Sequence, residues 1–243
     1  MSLGKLTEIT WLGHASFRFT RPGGEVLLLD PWLEGNPTCP AELQDPERVD
    51  AILVTHGHPD HFADVVRLAK KHGARVVCNY EIGLWLKGQA ELPEDQVIDM
   101  NIGGSVEVLP GLIALMTRAD HTSSIQQEDG SVVPGGVPCG FVLAGEDIAT
   151  IYCAGDTAAF GEMMIIGQQH EPAAALLPIG GRFTMDPPAA AWAANMLGVP
   201  QVVPCHYGTF PVLTGTPAQL VEALHELGSE TGVIALEPGQ SVP

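Results

Sequence analysis

Ala51-Ile52-Leu53-Val54-Thr55 runs without a break into His56-Gly57-His58-Pro59-Asp60-His61. The uncharged run reads as a short buried strand. Four potential ligands then fall within six residues on the loop that leaves it. An apolar interior does not hold that many polar groups unpaired, and Gly57 and Pro59 restrict the backbone to turns that can converge the side chains. The chain has only nine histidines, and three of them lie here, which points to a metal site rather than to chance. From Phe62 onward, Val65, Val66, Leu68 and Ala69 recur at helical spacing until Gly73 stops the helix. The order is strand, ligand-rich loop, helix.

Upstream, apolar runs predict strands over Leu6–Leu12, Ser16–Arg21 and Glu25–Asp30, the last two joined as a hairpin by Pro22-Gly23-Gly24. Residues 31–50, with Pro31, Gly35, Pro37, Pro40 and Pro46, read as an irregular excursion, and Met1 to Leu3 are set aside as a cloning remnant. Downstream come a strand over Arg75–Cys78, a short helix over Tyr80–Lys87, and strands near Val97, Val106 and Ile113. Residues 122–138, rich in Ser, Gly and Pro, read as an exposed loop. Strands follow near Phe141 and over Ile148–Cys153, then a helix after Ala158 and a strand over Ala174–Leu177. A helix over Pro187–Leu197, a strand over Gln201–Val203, a helix over Pro217–Leu227 and a last strand over Val233–Leu236 complete the chain. Two β-rich runs, each closed by helix and strand alternation, predict an α/β fold of two packed sheets with helices outside.

Three isolated residues repeat the pattern of the 56–61 loop. His121, Asp156 and His206 each stand just past a predicted strand. Singly, each is a cap or a solvent contact as readily as a ligand. Together they gain weight, because donors at equivalent strand ends can meet at one edge of a sheet. His72, His170 and His225 have no such neighbours and read as structural.

The composition narrows the partners. Lys+Arg number 11 against Asp+Glu 29 in 243 residues, a formal charge of −18, while 45% of residues are hydrophobic and 16% charged. Charged residues make up about 25% of a typical domain, so intrinsic disorder is excluded. An acidic surface repels phosphate backbones and anionic membranes, so nucleic-acid binding is disfavoured. The five cysteines are odd in number and form no Cys-x-x-Cys pair, which argues against a disulfide framework and a thiolate zinc site. No apolar run reaches the ~18 residues a membrane span needs, and no signal-peptide order opens the chain, so the expected location is cytoplasmic.

Thr55-His56-Gly57-His58-Pro59-Asp60-His61, His121, Gly155-Asp156-Thr157 and His206 together resemble the metallo-β-lactamase superfamily, and the resemblance spans nearly the whole chain. Trp11-Leu12-Gly13-His14 and Asp30-Pro31-Trp32 resemble the branch that includes L-ascorbate 6-phosphate lactonase and N-acylphosphatidylethanolamine phospholipase D. The segments Pro178–Met185 and His206–Pro211 are similar to those of a family of small metal-dependent hydrolases. The resemblance implies one metallo-β-lactamase-like hydrolase domain over residues 1–243, folded as a four-layer αββα sandwich. It implies that His56, His58 and His121 hold one metal, that Asp60, His61 and His206 hold a second, and that Asp156 bridges them. Zinc is the first choice for both ions, with manganese or iron as alternatives, since no ligating thiolate decides among them.

On that basis a metal-bridging hydroxide is expected to cleave an ester, lactone or phosphodiester bond of a small molecule, with Asp60 orienting the nucleophile. His14 is a candidate catalytic residue at the site edge, contacting substrate or a ligand carboxylate, with a packed turn histidine as the alternative. Asp30 is expected to hydrogen-bond a ligating histidine rather than a metal. Tyr207 can donate to a developing oxyanion or merely pack beside the site. Arg182 is either an anion clamp for substrate or a surface ion-pair partner. Cys205 should point away from the site by strand alternation. Other readings are a nuclease, disfavoured by charge and by the lack of an extra basic arm, and a non-catalytic binding module with structural metals. A redox di-iron role lacks any flavin-binding partner domain. Relatives of this size often form homo-oligomers, which the resemblance extends to this chain as an expectation.

Overall fold

A computed structural model describes residues 7–127 and 129–243, so the readings made for Met1 to Leu3 and for Leu6 lie outside the described residues. Among the described residues the chain forms two seven-stranded sheets and a two-stranded ribbon. The first sheet contains β1 (Glu8–Trp11), β2 (Phe17–Thr20), β3 (Val26–Leu29), β4 (Ala51–Leu53), β5 (Arg75–Asn79) and β6 (Val97–Met100) in spatial order. The second contains β7 (Ser105–Leu109) and β8 (Leu112–Arg118), which precede the ribbon of β9 (Ser124–Gln126) and β10 (Val132–Pro134). It continues through β11 (Cys139–Gly145), β12 (Ile151–Cys153), β13 (Ala174–Pro178), β14 (Gln201–Cys205) and β15 (Gly232–Val233). Finally β16 (Ser241–Val242) returns to pair with β1.

Helices cover both outer faces: α1 (Pro59–Phe62), α2 (Val65–His72) and α3 (Tyr80–Gly88) on the first sheet, α4 (Met163–His170), α5 (Pro187–Leu197) and α6 (Pro217–Glu226) on the second. Strand alternation sorts the core into layers. Leu27 and Leu29 of β3 and Leu53 of β4 face Met116, Phe141 and Leu176 between the sheets, whereas Leu28 and Ile52 turn outward onto Leu68 and Ile82. Both faces of these strands are covered, which is why their sequences are apolar throughout. The four-layer αββα sandwich expected from the sequence is the fold. All five cysteines are buried and free, and Cys205 packs between the sheets. No helix among the described residues is long and apolar enough to cross a membrane.

Three local expectations differ from the structure. The helix expected from Phe62 is two pieces, because the chain breaks at Asp64, whose carboxylate accepts the Leu33 and Glu34 amides at 2.6 and 2.9 Å and so ties the 31–50 excursion to this junction. The exposed loop expected over 122–138 contains the β9–β10 ribbon, with Ile125 buried. The strand expected over Val233–Leu236 is shorter and begins earlier, at Gly232–Val233 with a last bond from Ile234 N to Val202 O (2.8 Å), while the Ile234 and Leu236 side chains enter the core, and β16 was not foreseen.

The sheet directions position the chemistry. Strands β3, β4 and β5 are mutually parallel, as are β12, β13 and β14, so their C-terminal ends gather at one edge. There the sheets are joined by backbone bonds from Cys139 N to Thr55 O (3.0 Å) and from His206 N to His14 O (2.8 Å).

Candidate metal centre

Each candidate donor leaves a strand end at that edge. His56 follows β4, and His58 is the extended residue that caps α1, with Pro59 at the first helical position. This single turn places Asp60 and His61 next to the histidine pair. Gly155, at φ 63°, lets the Asp156 segment close on β4, since a Cβ there would lie 2.8 Å from Thr55 Cβ. Gly180 lies against His206, where a Cβ would come within 2.1 Å of the His206 carbonyl oxygen. His14, Asp30 and His206 hold left-handed backbones with φ of 51°, 45° and 55°. Such a conformation costs a non-glycine residue roughly 1–3 kcal/mol and persists only where the surroundings enforce it.

Asp30 supplies much of that enforcement. Its Oδ1 accepts the Thr55 amide at 2.7 Å, and its Oδ2 accepts both Thr55 Oγ1 at 2.6 Å and His61 Nδ1 at 2.8 Å. With its proton given to Asp30, Thr55 Oγ1 accepts from His56 Nδ1 at 3.0 Å. His56 and His61 thus both carry a proton on Nδ1, which turns Nε2 inward in each ring. Asp30 thus makes the expected hydrogen bond to a histidine of the cage, and a direct ligand role would compete with three donors.

Three overlapping donor groups result, one of them Asp30 with His56 and His61. The donor atoms of His56, His58 and His121 lie within 4.8 Å of one another, with His56 Nε2 and His58 Nδ1 2.9 Å apart. A second group comprises His14, Asp60, His61 and His206. Asp156 stands between them: Oδ1 is 3.4 Å from His61 Nε2, and Oδ2 is 3.0 Å from His206 Nε2 and 3.6 Å from His121 Nε2. His14 Nε2 meets Asp60 Oδ2 at 3.1 Å rather than reaching outward to solvent.

Asp156 lies 3.0–3.4 Å from His61 Nε2 and His206 Nε2, yet these two nitrogens, Asp156 Oδ1 and His206 Nδ1 make no well-aligned hydrogen bond among the described residues. Each such group costs about 1–3 kcal/mol if left unsatisfied. Their convergence fits a divalent cation, and the imidazole and carboxylate donors suit zinc, manganese or iron. Electrostatics agree. Burial pushes His14 down to about 4 and drives His56 well below the ordinary imidazole value. Burial also lowers His58 and His121. Despite burial, which works the other way, His206 and His61 hold the Asp156 carboxyl low, and the His14 bond and His61 do the same for Asp60. His61 is the exception: burial lowers it, but Asp156 and Asp30 raise it above its usual value. Neutral imidazoles beside ionised carboxylates are the protonation states that cation binding requires. The centre opens on one side, where Asp60 retains 27% and His121 12% side-chain exposure.

The structure brings all seven candidate ligands together and sets His14 against Asp60. It does not bring Tyr207 or Arg182 into hydrogen-bond contact with them among the described residues. The Tyr207 ring stacks on Trp11 at 5.2 Å, and burial pushes its hydroxyl up to about 12. Arg182 is exposed, at φ 61°, with its guanidinium 5.7 Å from the Phe183 ring centroid. Its loop is tethered nearby, since Met185 N donates to Thr157 O at 3.2 Å. Sequence reasoning missed Thr55 and Thr209 as hydrogen-bonding partners of site histidines. It also missed the stacked Trp32 and Phe210 rings, which stand edge-on to His14. The only available signal was their place inside the segments that carried the resemblance.

Two back-to-back sheets with a cage of imidazoles and carboxylates at their shared edge are the architecture of metallo-β-lactamase-type metal hydrolases. Residues 25–207 match the Beta-lactamase superfamily domain. The chain is 49% identical over 236 residues to a UPF0173 metal-dependent hydrolase of Rubrobacter xylanophilus (97% of this chain, 96% of that one), and 45% identical over 243 residues to one of Chloroflexus aurantiacus (99% of each). It belongs to the UPF0173 metal-dependent hydrolase family of the β-lactamase superfamily. Among solved structures, Igni18, a metallo hydrolase from Ignicoccus hospitalis, aligns with a TM-score of 0.83 and 34% identity over 97% of each chain. An isothiocyanate hydrolase from Delia radicum gut bacteria, at 21% identity over 97% of this chain and 98% of that one, shares the fold with a TM-score of 0.72.

Proposed function

We propose that this metal-dependent hydrolase is dinuclear, works as one domain over residues 1–243, and cleaves an ester, lactone or phosphodiester bond of a small molecule. The observation that carries this reading is the pair of donor groups adjoining at Asp156. In this reading His56, His58 and His121 hold one cation, Asp60, His61 and His206 hold the other, and Asp156 bridges. Zinc is the first choice, then manganese or iron. When bound, such ions polarise a carbonyl or phosphoryl oxygen and bring the acidity of water near neutrality.

The protein's own groups do the rest. Asp30 holds the Nδ1 proton of His61 directly and that of His56 through Thr55, fixing both rings with Nε2 inward. Asp60, partly open to solvent, is placed to accept a proton from an incoming water while His14 holds its Oδ2. His14 acts through Asp60. Substrate enters on the side of His58, Asp60 and His121, and the exposed Arg182 can attract an anionic group. Tyr207 keeps its proton at neutral pH and can donate it in a hydrogen bond.

The test is a panel of lactones, thioesters, phosphodiesters and phospholipids, assayed before chelation, after chelation, and after Zn²⁺ or Mn²⁺ is returned. At least one substrate class should be cleaved, lost and restored in that order. A purified protein that cleaves none of them with either metal contradicts the reading.

A further inference from the structure

Two aromatic rings from distant parts of the chain meet beside the candidate centre. Trp32 and Phe210 stack with centroids 5.8 Å apart and planes at 21°, and both stand edge-on to His14, at 5.3 and 5.6 Å. His14 in turn bonds Asp60, so a single imidazole separates the ring pair from a carboxylate at the opening of the cage. The backbone holds both rings firmly. The Trp32 amide donates to Ser16 Oγ at 3.0 Å, its carbonyl accepts from Asn36 Nδ2 at 3.0 Å, and Asp64 accepts the next two amides. Phe210 sits on the turn that follows His206, closed by a bond from Leu213 N to Phe210 O at 2.9 Å. Yet Trp32 is only half-buried, and Phe210 and Val212 keep 39% and 41% exposure. A firmly held aromatic face open to solvent beside a polar cage offers apolar area that a bound small molecule can cover.

We propose that the Trp32–Phe210 pair is a specificity subsite that receives an uncharged apolar group of the substrate, an aromatic ring or a compact alkyl group, attached close to the bond that is cleaved. The proposal rests on the hydrolase reading above and narrows its substrate class. Charge selects among occupants. The chain carries a formal charge of −18, and the cation–π contacts among the described residues lie elsewhere, Arg118 over Phe160 and Arg182 over Phe183. An anionic group placed on the Trp32–Phe210 pair therefore meets no guanidinium there and an acidic surface around it. An apolar group gains by offset stacking on either ring and by removing the half-exposed rings from water.

The test needs binding but no turnover. Zinc-loaded protein is titrated calorimetrically with acetohydroxamate and benzohydroxamate, two metal-chelating probes that share a head and differ only in a methyl against a phenyl group. Wild type should bind benzohydroxamate about 10-fold more tightly, the gain expected from covering and stacking one aromatic ring. That ratio should fall to near one in Phe210→Ala and Trp32→Ala at wild-type zinc content, and survive in Phe210→Tyr, which keeps the ring. Variants that weaken both probes alike and leave the ratio standing would show a structural role only and overturn the subsite. Equal affinities in the wild type overturn the inference while leaving the hydrolase reading intact; if Phe210→Ala then abolishes self-association in sedimentation, the rings belong to a contact between copies. A wild type that binds neither probe contradicts an open metal centre, and the inference falls with it.

Discussion

Replacing Asp30 with Asn keeps a side chain that tolerates the left-handed backbone at this position (φ 45°) but replaces a carboxylate oxygen that two donors share. His61 then loses its charged acceptor, and the Thr55 link to His56 weakens with it. The expected outcome is a 10–100-fold loss of zinc affinity by competition titration with an unchanged circular dichroism spectrum. Wild-type affinity in this variant would show that neither histidine depends on Asp30. At this scale the sequence was legible in part. It yielded the donors, because four of them crowd one loop and the rest follow strands. Beyond Asp30 and His14 it did not yield the partners of those side chains, because Thr55 and Thr209 are ordinary threonines until folding brings a carboxylate or an imidazole to each hydroxyl.

The ligand-bearing loop depends on its contact with the ribbon. A Cβ on Gly57 would lie 2.8 Å from Ile125 Cγ1 and 2.9 Å from Ser124 O, so Gly57→Ala must push β9 away or shift His56 and His58. Overpacking of this kind costs about 1–3 kcal/mol, and at this chain size each kcal/mol lowers Tm by roughly 2–4 °C. Gly73→Ala is the control, since its Cβ meets nothing within 4 Å and suffers only from the left-handed φ of 65°, a cost of about 1 kcal/mol. Both variants should melt earlier in scanning calorimetry, but only Gly57→Ala should bind zinc more weakly; equal zinc affinity in the two would refute the coupling. Helices were legible where local chemistry ends them. α5 begins with Asp186 accepting from Ala189 N, opens at Pro187 and stops at Gly198 in the left-handed region. The ribbon and β16 were not legible, because short strands take their identity from partners elsewhere in the chain. The last strand shows the same limit: its pairing reaches Ile234 N, bonded to Val202 O, and stops short of the expected Leu236, which is buried instead.

The two sheets are also fastened at the edge away from the candidate centre. Arg21, just past β2, grips Asp147, in the turn between β11 and β12, through Nε at 2.8 Å and Nη2 at 3.0 Å, and donates from Nη1 to Pro110 O at 2.7 Å. The Arg21 bond holds the Asp147 carboxyl below its usual value, so the pair stabilises the fold fully above about pH 5 and loses that contribution as pH falls through the depressed pKa. Arg21→Ala should lower Tm by a few degrees at neutral pH, with the gap to wild type closing below about pH 4. A gap that stays constant in acid would assign the effect to packing of the arginine stem. Across the molecule, the layered fold was readable because apolar strands and helices alternate in order, and the cage follows from it because parallel strands end together. Crystals soaked in zinc and measured at the zinc edge test that convergence most directly. The account predicts two anomalous peaks, one about 2.0–2.1 Å from the nitrogens of His56, His58 and His121 and the other bounded by Asp60, His61 and His206, with Asp156 touching both. A single peak, or peaks away from these side chains, would contradict it.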